Sequence, residues 1–296
     1  MSGRRGVKKP PPRRATSRLR LGLGIGLAVI VAFAIGALVV LNRTNATVEP
    51  LSRLGTADVH SLTFVGDDAQ RLLFGHHDGI LETHDGGRTW TKLGAHDDAM
   101  GMSAAAGGSI VIAGHDVLTA SSDGGQTWTN VATDLPSRDV HGFARDPADP
   151  SHMWAALATG GLWESRDAGL HFGQVYGENV FLPIAIDLAS GTRLVAIAAA
   201  GLVQSDDGGR TWTPLGTPDL YPIVSLAATT NGAVLVAGGP DGLRRSDDGG
   251  RSWKDPGFKG DPFAVAVSTD GRTIALVTRK ADFYRSDDGG GTWARP

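Results

Sequence analysis

The sequence predicts an all-β chain, a six-bladed β-propeller preceded by one transmembrane helix, and three observations carry that prediction. An eight-residue motif recurs in six copies at near-regular spacing between residues 83 and 293. The 246 residues from 51 to 296 divide by those copies into units of about 41, the size of one four-stranded blade. Upstream of them, Leu21 to Leu41 is a run of 21 residues without a charge.

Residues 1–20 carry Arg4, Arg5, Lys8, Lys9, Arg13, Arg14, Arg18 and Arg20 and no acid. At 1.5 Å rise per residue the apolar run 21–41 spans roughly 31 Å, close to the thickness of a bilayer's hydrocarbon core. The basic flank comes first, so residues 1–20 are expected in the cytoplasm and everything after Arg43 outside. That describes a single-pass plasma-membrane protein whose lipid contact is made by 21–41. A cleaved secretory signal has a shorter apolar core and a small-x-small cleavage site, whereas Leu41-Asn42-Arg43 follows here; an uncleaved anchor is the expectation.

Residues 42–50 read as a polar linker and 51–296 as the propeller. The charge changes sign across the membrane run. Eight of the 28 Lys and Arg precede it and all 31 Asp and Glu lie at or after Glu49, which leaves the exterior part at a formal −11. Such a surface repels nucleic acid. With no Cys in the chain, disulfides, thiolate catalysis and thiolate metal sites are excluded.

The recurring motif is clearest as Ser205-Asp206-Asp207-Gly208-Gly209-Arg210-Thr211-Trp212. Its other copies begin at Thr83, Ser121, Ser165, Ser246 and Ser286 and close at Trp90, Trp128, Phe172, Trp253 and Trp293. Intervals between the closing aromatics are 38, 44, 40, 41 and 40 residues. Each copy sits between two short alternating segments, as strand, turn, strand. The hydroxyl and the Asp207-type carboxylate suit hydrogen bonds to nearby backbone. The paired glycines suit positive φ, and the aromatic is large enough to fill the gap between adjacent sheets.

The pattern Ser/Thr-x-Asp-x-Gly-x-Thr-Trp resembles the Asp-box, or bacterial neuraminidase repeat, over residues 83–293. The third copy, Ser165-Arg166-Asp167-Ala168-Gly169-Leu170-His171-Phe172, matches it least. The resemblance implies that each box joins the third and fourth strands of a blade and lies at the periphery, away from the central channel. This signature is shared by sialidases, sortilin-like receptors, photosystem assembly factors and xyloglucan hydrolases, so it implies a fold and not a reaction. The chain is most similar to the bacterial glycosyl-hydrolase-like and sialidase-like proteins, without the sialidase motif. The Phe/Tyr-Arg-Ile-Pro sequence is absent, because Leu182-Pro183-Ile184 and Tyr221-Pro222-Ile223 carry no Arg. No residue is assigned a catalytic role.

In the first blade, His60–65 reads as the inner strand, 71–76 as the second, 79–83 as the third and 89–93 as the outer one. The last copy leaves only three residues after Trp293, so Leu51 to Gly55 is expected to supply the missing outer strand. Such a closure leaves no long open edge.

Aligning the repeats sets His60, Met100 and His141 at one position, before the inner strand, with Pro183, Pro222 and Pro262 opposite them in the last three blades. Counting back from each motif, His77 and His115 are equivalent, and Thr159, Ala199, Pro240 and Lys280 follow. All nine His fall between residues 60 and 171. In a propeller the start of the first strand and the turn after the second share one end of the channel, so His60, His77, Met100, His115 and His141 are candidates to converge. Imidazole and thioether together suit copper, and the imidazoles with an acid suit zinc. Asp97 and Asp98 are candidate acceptors for the outer imidazole N–H groups. The same residues also suit a wet polar channel without metal. His84, His96, His152 and His171 are expected as exposed turn or loop residues.

The function expected is a membrane-anchored, extracytoplasmic module that binds a metal, a small ligand or an extracytoplasmic protein. Two alternatives stay open. A glycoside hydrolase of sialidase-like fold would need two facing carboxylates, for which Asp98, Asp139, Asp219 and Asp261 are available. A protein scaffold or assembly factor would use the Tyr, Phe and Pro residues of 176–181 and 218–222.

Overall fold

The computed structural model describes residues 48–94 and 98–296 of the chain. The basic tail, the run 21–41, most of the linker, and Ala95, His96 and Asp97 lie outside the described residues. Among the described residues no helix is long and apolar enough to cross a membrane.

Residues 48–296 form a six-bladed all-β propeller. Blade 1 is β2 (Ser61–Val65), β3 (Asp68–His76), β4 (Gly79–Thr83) and β5 (Thr91–Leu93), paired antiparallel in that order. Blade 2 repeats this with β6 (Gly101–Ala104), β7 (Ile110–Gly114), β8 (Val117–Ser121) and β9 (Thr129–Asn130). Blade 3 begins with β10 (Val140–Arg145), blade 4 with β14 (Phe181–Leu188) and blade 5 with β18 (Ser225–Ala228). Blade 5 has three strands, and its outer position is reduced to a single bridge between Arg245 and Lys254. Blade 6 runs from β21 (Pro262–Val267) through β22 (Ile274–Thr278) to β23 (Asp282–Ser286).

The outer strand of blade 6 comes from the other end of the domain. β1 (Ser52–Arg53) pairs with β23, and Leu51 and Leu54 donate backbone N–H bonds to Phe283 and Ala281 at 2.8 and 2.9 Å. The second strand of a blade is covered on both faces by neighbouring blades and therefore reads as an unbroken apolar run. Ile110-Val111-Ile112-Ala113-Gly114 and Ile274-Ala275-Leu276-Val277-Thr278 are buried at every residue. The core is accordingly divided into six apolar clusters, one for each pair of adjacent blades.

The recurring motif forms the same turn six times. Ser205 Oγ accepts the Gly209 N–H and donates to Asp207 Oδ1, both at 2.8 Å. Asp207 Oδ1 accepts the Thr211 N–H at 2.9 Å, and its Oδ2 accepts the Thr211 hydroxyl at 2.6 Å. The carboxylate thus reaches four residues forward, farther than a simple Asx turn. In the third copy His171 Nδ1 stands where the Thr hydroxyl would be, 2.6 Å from Asp167 Oδ2. Both Gly208 and Gly209 have positive φ. A Cβ on Gly209 would lie 2.5 Å from Leu162 of the preceding blade, so this glycine is needed for contact as well as conformation.

The inner-strand register differs from the sequence alignment in the last three blades. In blade 4 Phe181 pairs with Ile197 as Ser61 pairs with Gly75, so Val180 takes the position of His60 and Pro183 lies inside the strand. His60 donates its N–H to Gly75 O, and the matching bond in blade 5 runs from Val224 to Gly238. In blade 6, Ala264 pairs with Val277 as Ser61 pairs with Gly75. Val224 and Phe263 therefore occupy the position of His60, and Pro222 and Pro262 fall two and one residues earlier. The bulge between Pro262 and Ala264 recurs in blade 3 between Val140 and Gly142, where the alignment holds, so it is not the cause of the slip in blade 6.

Candidate functional site

Neighbouring blades interlock at one end of the ring. The turn after the second strand of one blade is hydrogen-bonded to the segment leading into the next blade's inner strand. Ala99 donates its N–H to His76 O at 3.3 Å, and Ser61 Oγ donates to Ala99 O at 2.7 Å. Between blades 2 and 3, Asp116 donates its N–H to Arg138 O at 3.1 Å. Gly75 permits the first of these approaches, since a Cβ there would lie 2.5 Å from Ala99 O. A side chain on the turn of blade 1 consequently meets one on the lead-in of blade 2, and the same holds for blades 2 and 3.

Two groups of side chains result: His60, His77 and Asp98, and His115, Asp139 and His141. Within the first, Asp98 Oδ1 is 3.2 Å from His60 Nε2 and 3.6 Å from His77 Nδ1. Within the second, Asp139 Oδ1 is 3.0 Å from His141 Nε2 and 3.5 Å from His115 Nε2. Asp98 joins the two, because its Oδ2 lies 2.6 Å from His115 Nδ1 and accepts the His115 backbone N–H at 3.3 Å.

Burial and hydrogen bonding are uneven across these groups. Asp98 is 6% exposed, whereas the His77 side chain is 60% exposed. His60 Nε2, Asp98 Oδ1 and Asp139 Oδ1 are buried and make no hydrogen bond. His60 Nε2 and Asp98 Oδ1 are close neighbours at 3.2 Å, but their approach is not aligned as a hydrogen bond. Burial holds the His60 imidazole below its usual pKa, against the opposing pull of Asp98. It is therefore neutral near pH 7, with a lone pair available to a Lewis acid.

Met100 is half-buried and lines the central channel with His60. That channel has a volume of about 470 Å³ and is bounded by inner-strand residues of all six blades. Asp98 was read as an acceptor for an outer imidazole N–H, and its Oδ2 lies 2.6 Å from His115 Nδ1. What sequence reasoning missed is its Oδ1 between His60 and His77, and the place of Asp139, read as a loop acid. A signal for both was present in Asp58-Val59-His60, Asp98-Ala99-Met100 and Asp139-Val140-His141, where an acid stands two residues before each inner-strand donor. Asp97 and His96 lie outside the described residues. Asp261 faces Arg279 at 3.7 Å, and Asp219 is exposed.

His152 is not an exposed loop residue. It is 7% exposed, 2.8 Å from Glu164 Oε1 through Nε2 and 3.3 Å from Asp146 Oδ2 through Nδ1, with Trp154 against its ring. Arg166 and Arg210 complete the cluster by donating to Glu164. His84 stands beside Glu82 at 3.2 Å and His171 lies in its motif turn, both largely exposed. Tyr221 and Phe181 are 86% and 42% exposed.

The sequence matches no protein-family model and no curated protein. Among solved structures it is similar to an ancestral GH74 enzyme, with a TM-score of 0.56 and 18% identity over 84% of this chain and 40% of that one. The GH74 xyloglucanase from Xanthomonas campestris gives 0.50 and 23%, over 77% of this chain and 37% of the enzyme. YCF48 from Cyanidioschyzon merolae gives 0.53 and 19%, over 85% and 88% of the two chains, and YCF48 bound to D1 peptide gives 0.52 and 19%. The chain spans well under half the length of the two GH74 enzymes it matches. At these identities the likeness is one of fold, and it sets this chain beside the GH74 and YCF48 β-propellers.

Proposed function

We propose that this protein is a membrane-anchored, extracytoplasmic Asp-box propeller that binds a transition metal ion, zinc or copper, at the blade 1–3 end of its channel. The observation that carries the reading is the buried pair His60 Nε2 and Asp98 Oδ1, 3.2 Å apart and neither hydrogen-bonded. Buried polar atoms are nearly always partnered, and two unpaired donors of electron density facing one another are the arrangement a cation would complete. The chemistry agrees, since a neutral imidazole and a carboxylate are ordinary zinc ligands and imidazole also suits copper. The uncharged run 21–41, with the basic tail before it and the acidic part after it, supports the anchor and its orientation.

The test is metal analysis of the full chain purified in detergent with a tag free of histidine. The wild type is expected to retain or take up zinc or copper in stoichiometric amount, and a His60→Ala/His77→Ala double variant to lose it from this group. Equal metal content in both proteins, or none in the wild type, sinks the reading.

A second reading is a peptide-binding module, favoured by the exposed Tyr221 and Phe181 side chains on blades 4 and 5. YCF48, a structural neighbour, is solved bound to D1 peptide. A Tyr221→Ala/Phe181→Ala variant that releases a partner captured by the wild type, with metal content unchanged, would favour it.

A further inference from the structure

Resting on the metal-binding reading, we infer that the site is a coupled pair: two cation positions, one at His60, His77 and Asp98 and one at His115, Asp139 and His141, linked through Asp98. Zinc–ligand bonds of roughly 2.0–2.2 Å in a tetrahedral arrangement hold their donor atoms about 3.3–3.6 Å apart. The carboxylate-to-imidazole distances are 3.2 and 3.6 Å in the first group and 3.0 and 3.5 Å in the second. In each group all three donor atoms lie within 4.8 Å of one another. Each group also contains a carboxylate oxygen that is buried and unpaired, Asp98 Oδ1 in one and Asp139 Oδ1 in the other. Asp98 is more than nine-tenths buried, so its unpaired oxygen is directed into the first group and away from solvent.

The link is carried by His115. Its Nδ1–H donates to Asp98 Oδ2 at 2.6 Å, which leaves the lone pair on Nε2, the atom facing Asp139. Metal-bound imidazoles are commonly held this way by a carboxylate on the far nitrogen, which fixes both the tautomer and the ring. Asp98 therefore offers one oxygen to the first cation and uses the other to orient a ligand of the second. Each position has three protein donors and one open coordination position for water or an exogenous ligand, the pattern of reactive rather than closed structural zinc. Two divalent ions so placed are bridged through an imidazole and a carboxylate. They do not share a single atom.

Among adjacent blades, only the junctions of blades 1–2 and 2–3 combine a turn histidine with a lead-in aspartate. Lys280 precedes Asp58 at the junction of blades 6 and 1, and Pro240 precedes Asp261 at the junction of blades 5 and 6. The pairing of sites follows from two consecutive repeats that carry both residues.

The experiment is a zinc titration by calorimetry, with cobalt absorption as a second probe of coordination, on the full chain carrying a tag free of histidine. The wild type is expected to bind two equivalents. His77→Ala and His141→Ala, at positions whose side chains reach solvent, should each bind one, with circular dichroism unchanged. Asp98→Asn should lose the first equivalent and weaken the second by about 10- to 100-fold, as expected when an orienting partner is altered. One wild-type equivalent, lost in both His77→Ala and His141→Ala, would overturn the pair while leaving the metal-binding reading standing. An Asp98→Asn protein whose second affinity is unchanged would overturn the coupling. Absence of any binding by the wild type would overturn both readings.

Discussion

Asp98 is the residue on which the site turns, and its environment sets a specific balance between stability and binding. One oxygen is satisfied twice by His115 and the other not at all, so the folded protein without a cation carries an uncompensated part of a buried charge. Asn is nearly isosteric and can still accept from His115 while placing an amide near His60. Asp98→Asn is therefore expected to change the stability of the metal-free protein by no more than about 1 kcal/mol, in either direction. The effect of zinc should differ sharply. A ligand at a hundredfold excess over its Kd stabilises the native state by about 2.7 kcal/mol, and this increment should be lost at the first position in the variant. Thermal melts with chelator and with zinc measure both quantities; an equal zinc-induced rise in wild type and variant would refute the role given to Asp98. The histidines were legible in the sequence because their distribution over the repeats is unequal. Asp98 and Asp139 were harder to read because an acid on a loop is also the ordinary turn residue, and part of each one's histidine set, His60 and His77 for Asp98 and His115 for Asp139, lies on the previous blade. His152 was missed for a similar reason: its burial depends on Glu164, Asp146 and Trp154 closing around it, which no local pattern announces.

At the scale of the element, the motif turn is both a backbone device and a packing device, and the two can be separated by mutation. Ser205 is 2% exposed and its hydroxyl satisfies the buried Gly209 N–H, so Ser205→Ala is expected to cost about 1–3 kcal/mol. Gly209→Ala should cost more, because it adds a Cβ at φ +88° against Leu162. Urea unfolding of the two variants tests that order. The turns also make the protein acid-sensitive. Burial raises the pKa of Asp207, but hydrogen bonds from the Thr211 hydroxyl and backbone, Ser205 and Arg210 outweigh it and bring the group down to about 2. The hydrogen bonds of Thr127 and Ser252 act likewise on Asp123 and Asp248, each held at about 2. A carboxylate whose folded pKa is depressed stabilises the fold above its unfolded pKa, near 3.9, and loses that contribution as pH falls through the folded value. The melting temperature should therefore decline from about pH 4 towards pH 2, and Thr211→Val should make the decline shallower. A melt independent of pH over that interval would contradict the assignment. The number of blades and most strand positions were legible because the motif marks one fixed point in each repeat. Register at the far end of the inner strand was not, since the distance back from the motif varies between repeats: Ser61 precedes Thr83 by 22 residues, Gly101 precedes Ser121 by 20 and Gly142 precedes Ser165 by 23.

For the whole molecule, closing the ring is a long-range event, and the sequence at its junction makes it testable. Blades 1 and 6 share a cluster that includes Leu62, Phe64 and Phe74 on one side and Ala264, Val277 and Phe283 on the other. Arg285 Nη1 donates to Ala69 O at 2.5 Å across 216 residues of sequence. The chain adds β1 to this junction, where Ser52 Oγ donates to Gly87 O at 2.5 Å and accepts from Trp90 Nε1 at 3.1 Å. Leu51, 6% exposed, enters the same cluster. β1 thus covers the edge of β23 and ties it to the motif turn of blade 1. Blade 5 shows that an outer strand can be reduced to one bridge, but there the flanking blades follow without a break in the chain. At the junction of blades 6 and 1 no such continuity exists. Removing residues 1–54 is therefore expected to lower the melting temperature and to promote association through the uncovered β23 edge, whereas removing residues 1–50 should leave the melt of the propeller unchanged. Leu51→Ala in the full chain should lie between these, with a loss of about 2–3 kcal/mol from burial and cavity terms. Melting curves combined with light scattering distinguish the cases. Coincident curves for the two truncations would show that packing between blades 1 and 6 closes the ring unaided, and that β1 contributes little to holding it shut.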